Sequence, residues 1–574
     1  MTSVETSRWL WFVAPASTLT TALLGSVLCW LAFPPVAWGL LAWVAPIPWL
    51  TLILLPQLPG KRPYRSLWLA GTAFWLLAVH WIRLPHPLNH LALLALAGYL
   101  GIYLPLFVGL SRVASHQLGA PLWLAAPIVW TGLDWLRGRL MTGFLMASLA
   151  HTQVKYPVLI QIADLFGEYG VTFLVLLVPA AITQTIKSCL NTSSNASPSL
   201  TSRALLHNLP AIAVLTFAIF YGIQQSKESN STKTAQAGMR IALIQGHTLA
   251  DWKSDPAKQE QIVSEYLELS HEAVQRSLKK DGRQVDLVIW PETTFRQPLV
   301  DLAEGYHPPE TQVHSSYLTA AQTQLTELTK QLGSAVLVGI DRWYIFQDET
   351  GQPDYHTFNS SVLVDASGKI LGTYDKMHRV PFGEFIPLAK LIPALYRLTP
   401  LTGGIEAGEY PAALRLGDSL ISPNICYETA VPHLIGRQVR HVVEMEYAFP
   451  AALINLTNDA WYWGSSELDM HLACGVFRAV EMRTPLLIAA NGGLSAHIDS
   501  RGHLLQVTKR QQTETMLVDL PPPKGQDKHF SGDEYPSFYA KRGDWFAGTC
   551  VLCCIVLGAI GRVARRAKVK LDTP

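Results

Sequence analysis

The chain has 574 residues, of which 49% are hydrophobic and only 15% charged, with 18 tryptophans. Soluble domains carry about 25% charged residues, so a wholly soluble, disordered or collagen-like chain is excluded. Lys and Arg (45) barely exceed Asp and Glu (43), a net charge of +2 that offers no basic field to nucleic acid; seven scattered cysteines do not form a disulfide framework.

Between Ser7 and Gln225 apolar stretches follow one another, most of them long enough, at about 1.5 Å per residue, to cross about 30 Å of hydrocarbon. Seven spans are expected there: Ala14 to Phe33, Ala37 to Leu55, Ser66 to Leu84, Leu91 to Leu110, Ala120 to Leu136, Leu159 to Ile186 and Leu209 to Gly222. An eighth is expected at Trp545 to Ile560. Pro46, Pro48, Pro105 and Pro127 fall inside spans, as membrane helices tolerate. The first span reads as an anchor, because no small-residue cleavage pattern precedes a soluble domain. Arg8, the Lys61, Arg62 and Arg65 group, Arg112, and Lys187 with Arg203 share one side of an eight-span path. The tail with Arg562, Arg565, Arg566, Lys568 and Lys570 joins them, so that side and both termini are expected in the cytoplasm. Arg83, Arg137, Arg139 and Lys155 run against the rule. His80, His86 and His90 lack metal-ligand spacing and read as a polar interfacial loop, and Cys550, Cys553 and Cys554 read as packing residues of the last span.

Residues 191–202 and 224–238, rich in Ser, Thr and Asn, read as a loop and a linker. From Met239 the pattern changes to short β-branched runs: RIALIQG at 240, VDLVIWPE at 285, AVLVGI at 335, NSSVLVD at 359, LINLTND at 453, LLIAAN at 486, SAHID at 495 and MLVDL at 516. Helical periodicity fills 256–280 and 315–333, so an α/β domain is expected. The expected organisation is a membrane domain over 1–225, a linker over 226–238, a catalytic domain over 239–521, a connector over 522–544, a last helix over 545–561 and a basic tail over 562–574.

Three segments of the α/β region carry candidate reactive groups. Glu292 ends VDLVIWPE, Lys376 sits in TYDKMHRVPFGEFIP and Cys426 ends the apolar run of ISPNICYE. A carboxylate to take a thiol proton, a thiolate nucleophile and an ammonium to stabilise an oxyanion are what acyl transfer through a thioester needs. Taken singly, a cysteine is more often an inert core residue and a Glu or Lys a solvated charge. His471 and His497 could influence the site, although satisfied structural histidines are the default. No P-loop, GxSxG elbow or HExxH is present, and no cofactor or metal is implied.

The words WPE at 290, YDKMHRVPFGEFIP at 374, NICYE at 424, NLTNDAW at 455, FRAVEMRTP at 477 and NGGLSAHID at 491 together resemble the carbon–nitrogen hydrolase (nitrilase) superfamily. With VPFGEFIP, the NDAW segment and flanking membrane helices, the chain is similar more narrowly to the apolipoprotein N-acyltransferase family. The resemblance implies a polytopic helical membrane domain joined to a nitrilase-like α-β-β-α sandwich. It also implies transfer of an acyl chain from phospholipid, typically phosphatidylethanolamine, to the α-amino group of the diacylglyceryl-cysteine of a lipoprotein. It places this activity in the bacterial inner membrane, with the catalytic domain on the extracytoplasmic face. Its triad maps onto Glu292, Lys376 and Cys426, with Glu384, Tyr427, Glu428, Trp252 and Asn359 in support. The chain departs from the family where NDAW is followed by Tyr462, Trp463 and Gly464 rather than one aromatic before the glycine, and at Ile488, where an Arg is common; both bear on donor or acceptor preference.

The chemistry implied is a two-step exchange. Glu292 takes the Cys426 proton, the thiolate attacks a phospholipid ester while Lys376 and a backbone N–H after Cys426 hold the oxyanion, and the lipoprotein amine then attacks the thioester. Residues 385–398, FIPLAKLIPALYRL, are a candidate lid or lipid entrance, or else a core helix. Two other functions use the same features: a membrane-tethered nitrilase-like amidase with water as acceptor, and a lipid transporter with an inactive soluble domain.

Overall fold

The computed structural model describes residues 17–190, 200–227, 238–250, 256–306, 315–387, 389, 391, 392, 394, 396, 404–522 and 534–572. The chain divides into two units, Met1–Ser229 with Arg542–Pro574, and Asn230–Lys541.

The first unit is helical because its Leu-, Ala- and Trp-rich runs satisfy every backbone group internally and leave no strand alternation. Its helices are α1 (Thr18–Leu31), α2 (Ile47–Leu54), α3 (Pro63–Ala78), α4 (Asn89–Gly101), α5 (Tyr103–Gln117), α6 (Leu122–Arg137), α7 (Glu168–Leu190) and α8 (Leu200–Lys227), with a terminal helix Trp545–Asp572. Ser17 caps α1, its Oγ accepting the Thr20 N–H at 3.3 Å. Among the described residues four segments are long and apolar enough to cross a membrane: Asn89–Gln117, Glu168–Leu190, Asn208–Ser226 and Trp545–Ala564. The expected span over Ala37–Leu55 is not one helix: a short turn, Gly39–Trp43, precedes the eight-residue α2. Pro46 and Pro48 have no N–H to carry the helical ladder through. Likewise the run from Leu159 starts in short turns, and α7 begins only after Gly167, whose φ of +68° ends the preceding turn. His80 and His90 engage backbone carbonyls of their own turns, and the His86 ring accepts a backbone N–H. Cys554 packs on Val129 and Gly132 of α6.

The second unit builds two sheets. The first runs β13 (Glu514–Asp519), β1 (Arg240–Gln245), β2 (Leu287–Ile289), β4 (Ala335–Gln347), β5 (Pro353–Val364) and β6 (Ile370–Asp375), with β3 (Phe295–Leu302) also on β4. The second runs β12 (Leu504–Val507), β11 (Ala496–Ile498), β10 (Leu486–Asn491), β9 (Ala452–Asn458), β8 (Ser419–Ile425) and β7 (Leu414–Leu416). The pairs β1/β2, β2/β4, β8/β9 and β9/β10 are parallel, which requires crossovers. Those are α9 (Pro256–Asp281), α10 (Ser315–Leu332), α11 (Pro432–Glu446) and α12 (Glu467–Met482).

Alternation along the strands fixes the layers. Ile241, Leu243, Leu287, Ile289 and Leu337 meet Ile421, Ile454, Leu456 and Leu487 between the sheets. Their neighbours Ala242, Ile244, Val288, Val336 and Val338 face Tyr266 and Ala273 of α9 and Leu325 and Leu328 of α10. Helices α11 and α12 cover the second sheet. The result is the α-β-β-α sandwich expected, and its parallel strands bring their carboxyl ends, where ligands bind in such sheets, to one place.

Candidate active site

Glu292 lies just past β2, in a turn where Thr293 takes φ +48°. Gly339 of β4 sits against the backbone of Pro291 and Glu292 so closely that any Cβ would overlap it. The carboxylate is buried and fully engaged: Oε1 accepts from Asn359 Nδ2 at 2.7 Å and Oε2 from the Asn458 N–H at 3.0 Å. Lys376 follows β6 directly and is 1% exposed. Its Nζ lies 2.6 Å from Glu384 Oε1 and 3.4 Å from Glu292 Oε1, and Glu384 is itself held by the Val380 N–H at 2.7 Å.

Cys426 follows β8 at an elbow with φ +55°, opening the short turn Cys426–Ala430. Its carbonyl accepts from Asn455 Nδ2 at 3.0 Å and His471 Nε2 at 3.2 Å. Glu428, fully buried, ties the lysine and cysteine segments together. Its Oε1 accepts the N–H groups of Met377 and His378 at 2.7 and 2.9 Å, and its Oε2 accepts the Ile425 N–H at 2.7 Å and the Tyr374 hydroxyl at 2.8 Å. One carboxylate thus fixes the residues just after Lys376 and just before Cys426. The Tyr427 ring is 5.9 Å from that of His378.

Electrostatics follow from burial and these neighbours. Burial would lower the Lys376 pKa, but Glu384 and Glu292 outweigh it and hold the ammonium well above its usual range. Burial pushes the Cys426 thiol well up, Glu292 adds to this, and Lys376 opposes it without prevailing. The resting nucleophile is therefore a thiol, which agrees with the expectation that Glu292 takes its proton. Burial and then Lys376 push the His378 pKa down. Burial raises Glu428 against the pull of its backbone donors.

Behind the cysteine, Asp459, Glu467 and His471 bring one ligand atom each within 4.8 Å of one another, all buried. His471 spends both ring nitrogens, Nε2 on the Cys426 carbonyl and Nδ1 on Asp459 Oδ1 at 3.5 Å, leaving no lone pair for a cation.

Glu292, Lys376, Cys426, Glu384, Glu428 and Asn359 thus gather at one place, with Tyr427 beside the nucleophile. Trp252 lies outside the described residues, as do 388, 390, 393, 395 and 397–403 of and beyond the apolar lid candidate, where Leu391 is 80% exposed. Trp463 is exposed with φ +50°, and Ile488 is buried in β10 against α12 at Gly475. Sequence reasoning missed the roles of Asn455, the Asn458 N–H, Tyr374 and Asp459, and named His471 without its partners; the NLTNDAW word, which holds Asn455, Asn458 and Asp459, was the available signal.

The description "Apolipoprotein N-acyltransferase N-terminal domain" matches residues 25–181, and "Carbon-nitrogen hydrolase" matches 240–528. The apolipoprotein N-acyltransferase of Geobacter metallireducens is 31% identical, covering 94% of each chain. That of Rhodopirellula baltica is 29% identical, covering 95% of this chain and 97% of its own. Among solved structures, an amidase of the nitrilase superfamily from Nesterenkonia covers 50% of this chain and 92% of its own, at 18% identity and a TM-score of 0.34.

Proposed function

The chain belongs to the apolipoprotein N-acyltransferase family, and from that premise we propose that Cys426 carries the acyl group between a phospholipid and the amino terminus of an apolipoprotein. It is an acyltransferase whose substrates are a lipid and a lipoprotein. The observation that carries the mechanism is Lys376, buried between Glu292 and Glu384 at 3.4 and 2.6 Å and within the field of the Cys426 thiol.

In the first step Glu292 accepts the thiol proton as Sγ attacks the ester carbonyl. The oxyanion forms against Lys376 Nζ and the Tyr427 N–H, where each donor contributes about 3 to 4 kcal/mol in comparable sites. Collapse breaks the ester C–O bond, and Glu292 returns the proton to the departing lysophospholipid alkoxide. In the second step the neutral amine of the diacylglyceryl-cysteine attacks the thioester, Glu292 takes its proton, and as the C–S bond breaks Glu292 passes that proton to the departing thiolate and so regenerates the thiol. Glu384 keeps Lys376 charged, Glu428 sets the distance between the two loops, and Asn359 orients Glu292. Water must be excluded, or the thioester is hydrolysed.

Phosphatidylethanolamine is the proposed donor. The proposed setting is the bacterial inner membrane, with eight spans and the catalytic domain, residues 239–521, outside the cytoplasm. The distribution of Lys and Arg between apolar runs supports this orientation. Cysteines introduced singly at 224–238 should react with an impermeant maleimide added to spheroplasts, and protection until lysis would reverse the assignment. The chemistry is tested by intact-protein mass spectrometry of detergent-purified enzyme with phosphatidylethanolamine. An acyl-sized gain absent from Cys426→Ala supports it, whereas lysophospholipid release without the gain would mean direct transfer or hydrolysis.

A further inference from the structure

The strained elbow at Cys426 is held from behind by a group the reaction does not itself use. His471 reaches from α12 to the carbonyl of Cys426 at 3.2 Å, and its other nitrogen faces Asp459 Oδ1 at 3.5 Å. A carbonyl and a carboxylate only accept, so both ring nitrogens carry hydrogen and the ring is an imidazolium. Asp459 is fixed in turn by Thr457 Oγ1 at 2.6 Å, and all three side chains are at least nine-tenths buried.

A trans peptide is planar, with its C=O and N–H pointing in opposite directions. Holding the Cys426 carbonyl therefore also sets the direction of the Tyr427 N–H. We propose that His471 is a positioning residue: clamped by Asp459, it fixes the peptide of the nucleophile from the carbonyl side and so aims the Tyr427 N–H at the oxyanion. This rests on Cys426 being the nucleophile. Asn455 supplies the second donor to the same carbonyl at 3.0 Å, but it is neutral and does not titrate, so His471 alone makes the brace depend on pH.

The titratable groups around the imidazolium are Asp459 from the turn after β9, Glu467 from the start of α12 and Cys426. Tyr462 faces Glu467, Cys426 and Asp459, with Lys376 beyond. Burial lowers the His471 pKa, but Asp459, Glu467 and the Cys426 carbonyl raise it to about 9. Below that pH the ring carries two N–H groups and holds the carbonyl and Asp459 together; above it the neutral ring keeps one N–H and can serve only one of them, so the brace is weakened. Cys426, Lys376 and Tyr462 are all pushed well above their ordinary values; burial and then Asp459 also raise Glu467 well above its own, so the variants at His471 are what assign a change near pH 9 to the imidazole.

The test is the single-turnover rate of acyl-enzyme formation with phosphatidylethanolamine, from pH 6 to about 10.5 (spanning the expected titration), in the full-length wild type and in His471→Ala, His471→Gln and Asp459→Asn. His471→Ala should acylate about 100-fold more slowly, with half-saturating lipid changed by less than about twofold. His471→Gln keeps a donor to the carbonyl and should recover at least about tenfold of that loss while losing the fall in rate near pH 9. Asp459→Asn should move that fall about one unit lower. Wild-type rate in His471→Ala would overturn the proposal. If His471→Ala does not fold, an unchanged alkaline limb in both other variants would overturn it as surely. A wild type that forms no acyl-enzyme would instead remove the nucleophile assignment, and the brace with it.

Discussion

Both units bury a cation, and the two are used differently. Arg137 in the helical unit is 2% exposed and Lys376 in the sandwich 1%. Arg137 donates to Asp134 Oδ1 at 3.0 and 3.2 Å and to the carbonyls of Phe144 and Met146 at 2.8 and 2.9 Å, with Trp75 beneath its guanidinium at 5.0 Å. It pins the chain after α6 to α6 itself, in the fork geometry only arginine offers. Among the described residues Lys376 has no main-chain acceptor for its ammonium; it meets two carboxylates, Glu384 and Glu292, and the field of a thiol. A buried charge held by main-chain carbonyls maintains shape, whereas one set among groups that gain and lose protons is placed for chemistry.

That contrast can be broken most sharply at Lys376. Lys376→Met removes an oxyanion donor and leaves Glu292 and Glu384 facing each other, so acyl-enzyme formation should fall by about 1,000-fold or more, and the loss of one partner of a buried ion pair should lower stability by about 3 kcal/mol or more. A single-turnover assay and a denaturation curve read the two effects. Glu292→Gln comes next, slowing acylation by about 100- to 10,000-fold through loss of the base. In the same variant the Cys426 thiol loses a negative neighbour, so its pKa should fall and iodoacetamide should alkylate it faster at neutral pH than in the wild type. Opposite signs in the two assays would separate the charge of Glu292 from its work as a base; unchanged rates in both would mean Glu292 does not act on the thiol.

Glu428→Gln offers an amide N–H₂ where the loops present donors. Stability should drop by about 1 to 3 kcal/mol, with acylation slowed about tenfold because the two loops lose their common tie. At the other pole, Arg137→Met should cost the helical unit about 3 kcal/mol or more, since Asp134 is left buried without its partner. Acylation per folded molecule should stay at the wild-type rate. A catalytic loss there equal to that of Glu428→Gln would erase the distinction between the two cations.

What was legible in the sequence divides along similar lines. Glu292, Lys376, Cys426, Glu384 and Glu428 could be read because each is a side chain inside a word that carries the resemblance, whereas Asn359, in NSSVLVD, came from the resemblance without such a word. The Asn458 N–H that holds Glu292 is a main-chain group with no residue signature. His471 is one polar position on a mostly buried helix, and only the return of β9 beside β8 reveals that it faces the nucleophile. The α/β character was legible because short β-branched runs are separated by helical periodicity, whereas the four-layer sandwich was implied by the resemblance. The break in the second apolar run was not, because hydropathy averages over a window and hides what Pro46 and Pro48 do to the ladder.

The central claim is that an acyl group rests on Cys426 between donor and acceptor. Enzyme loaded from phosphatidylethanolamine, freed of excess lipid and digested, should yield the peptide containing Cys426 with a hydroxylamine-labile acyl mass. Adding a diacylglyceryl-cysteine peptide before digestion should move that mass onto the peptide's amino terminus. An acyl group on another residue, or one that stays on Cys426 when the acceptor is added while product still forms, would contradict the account.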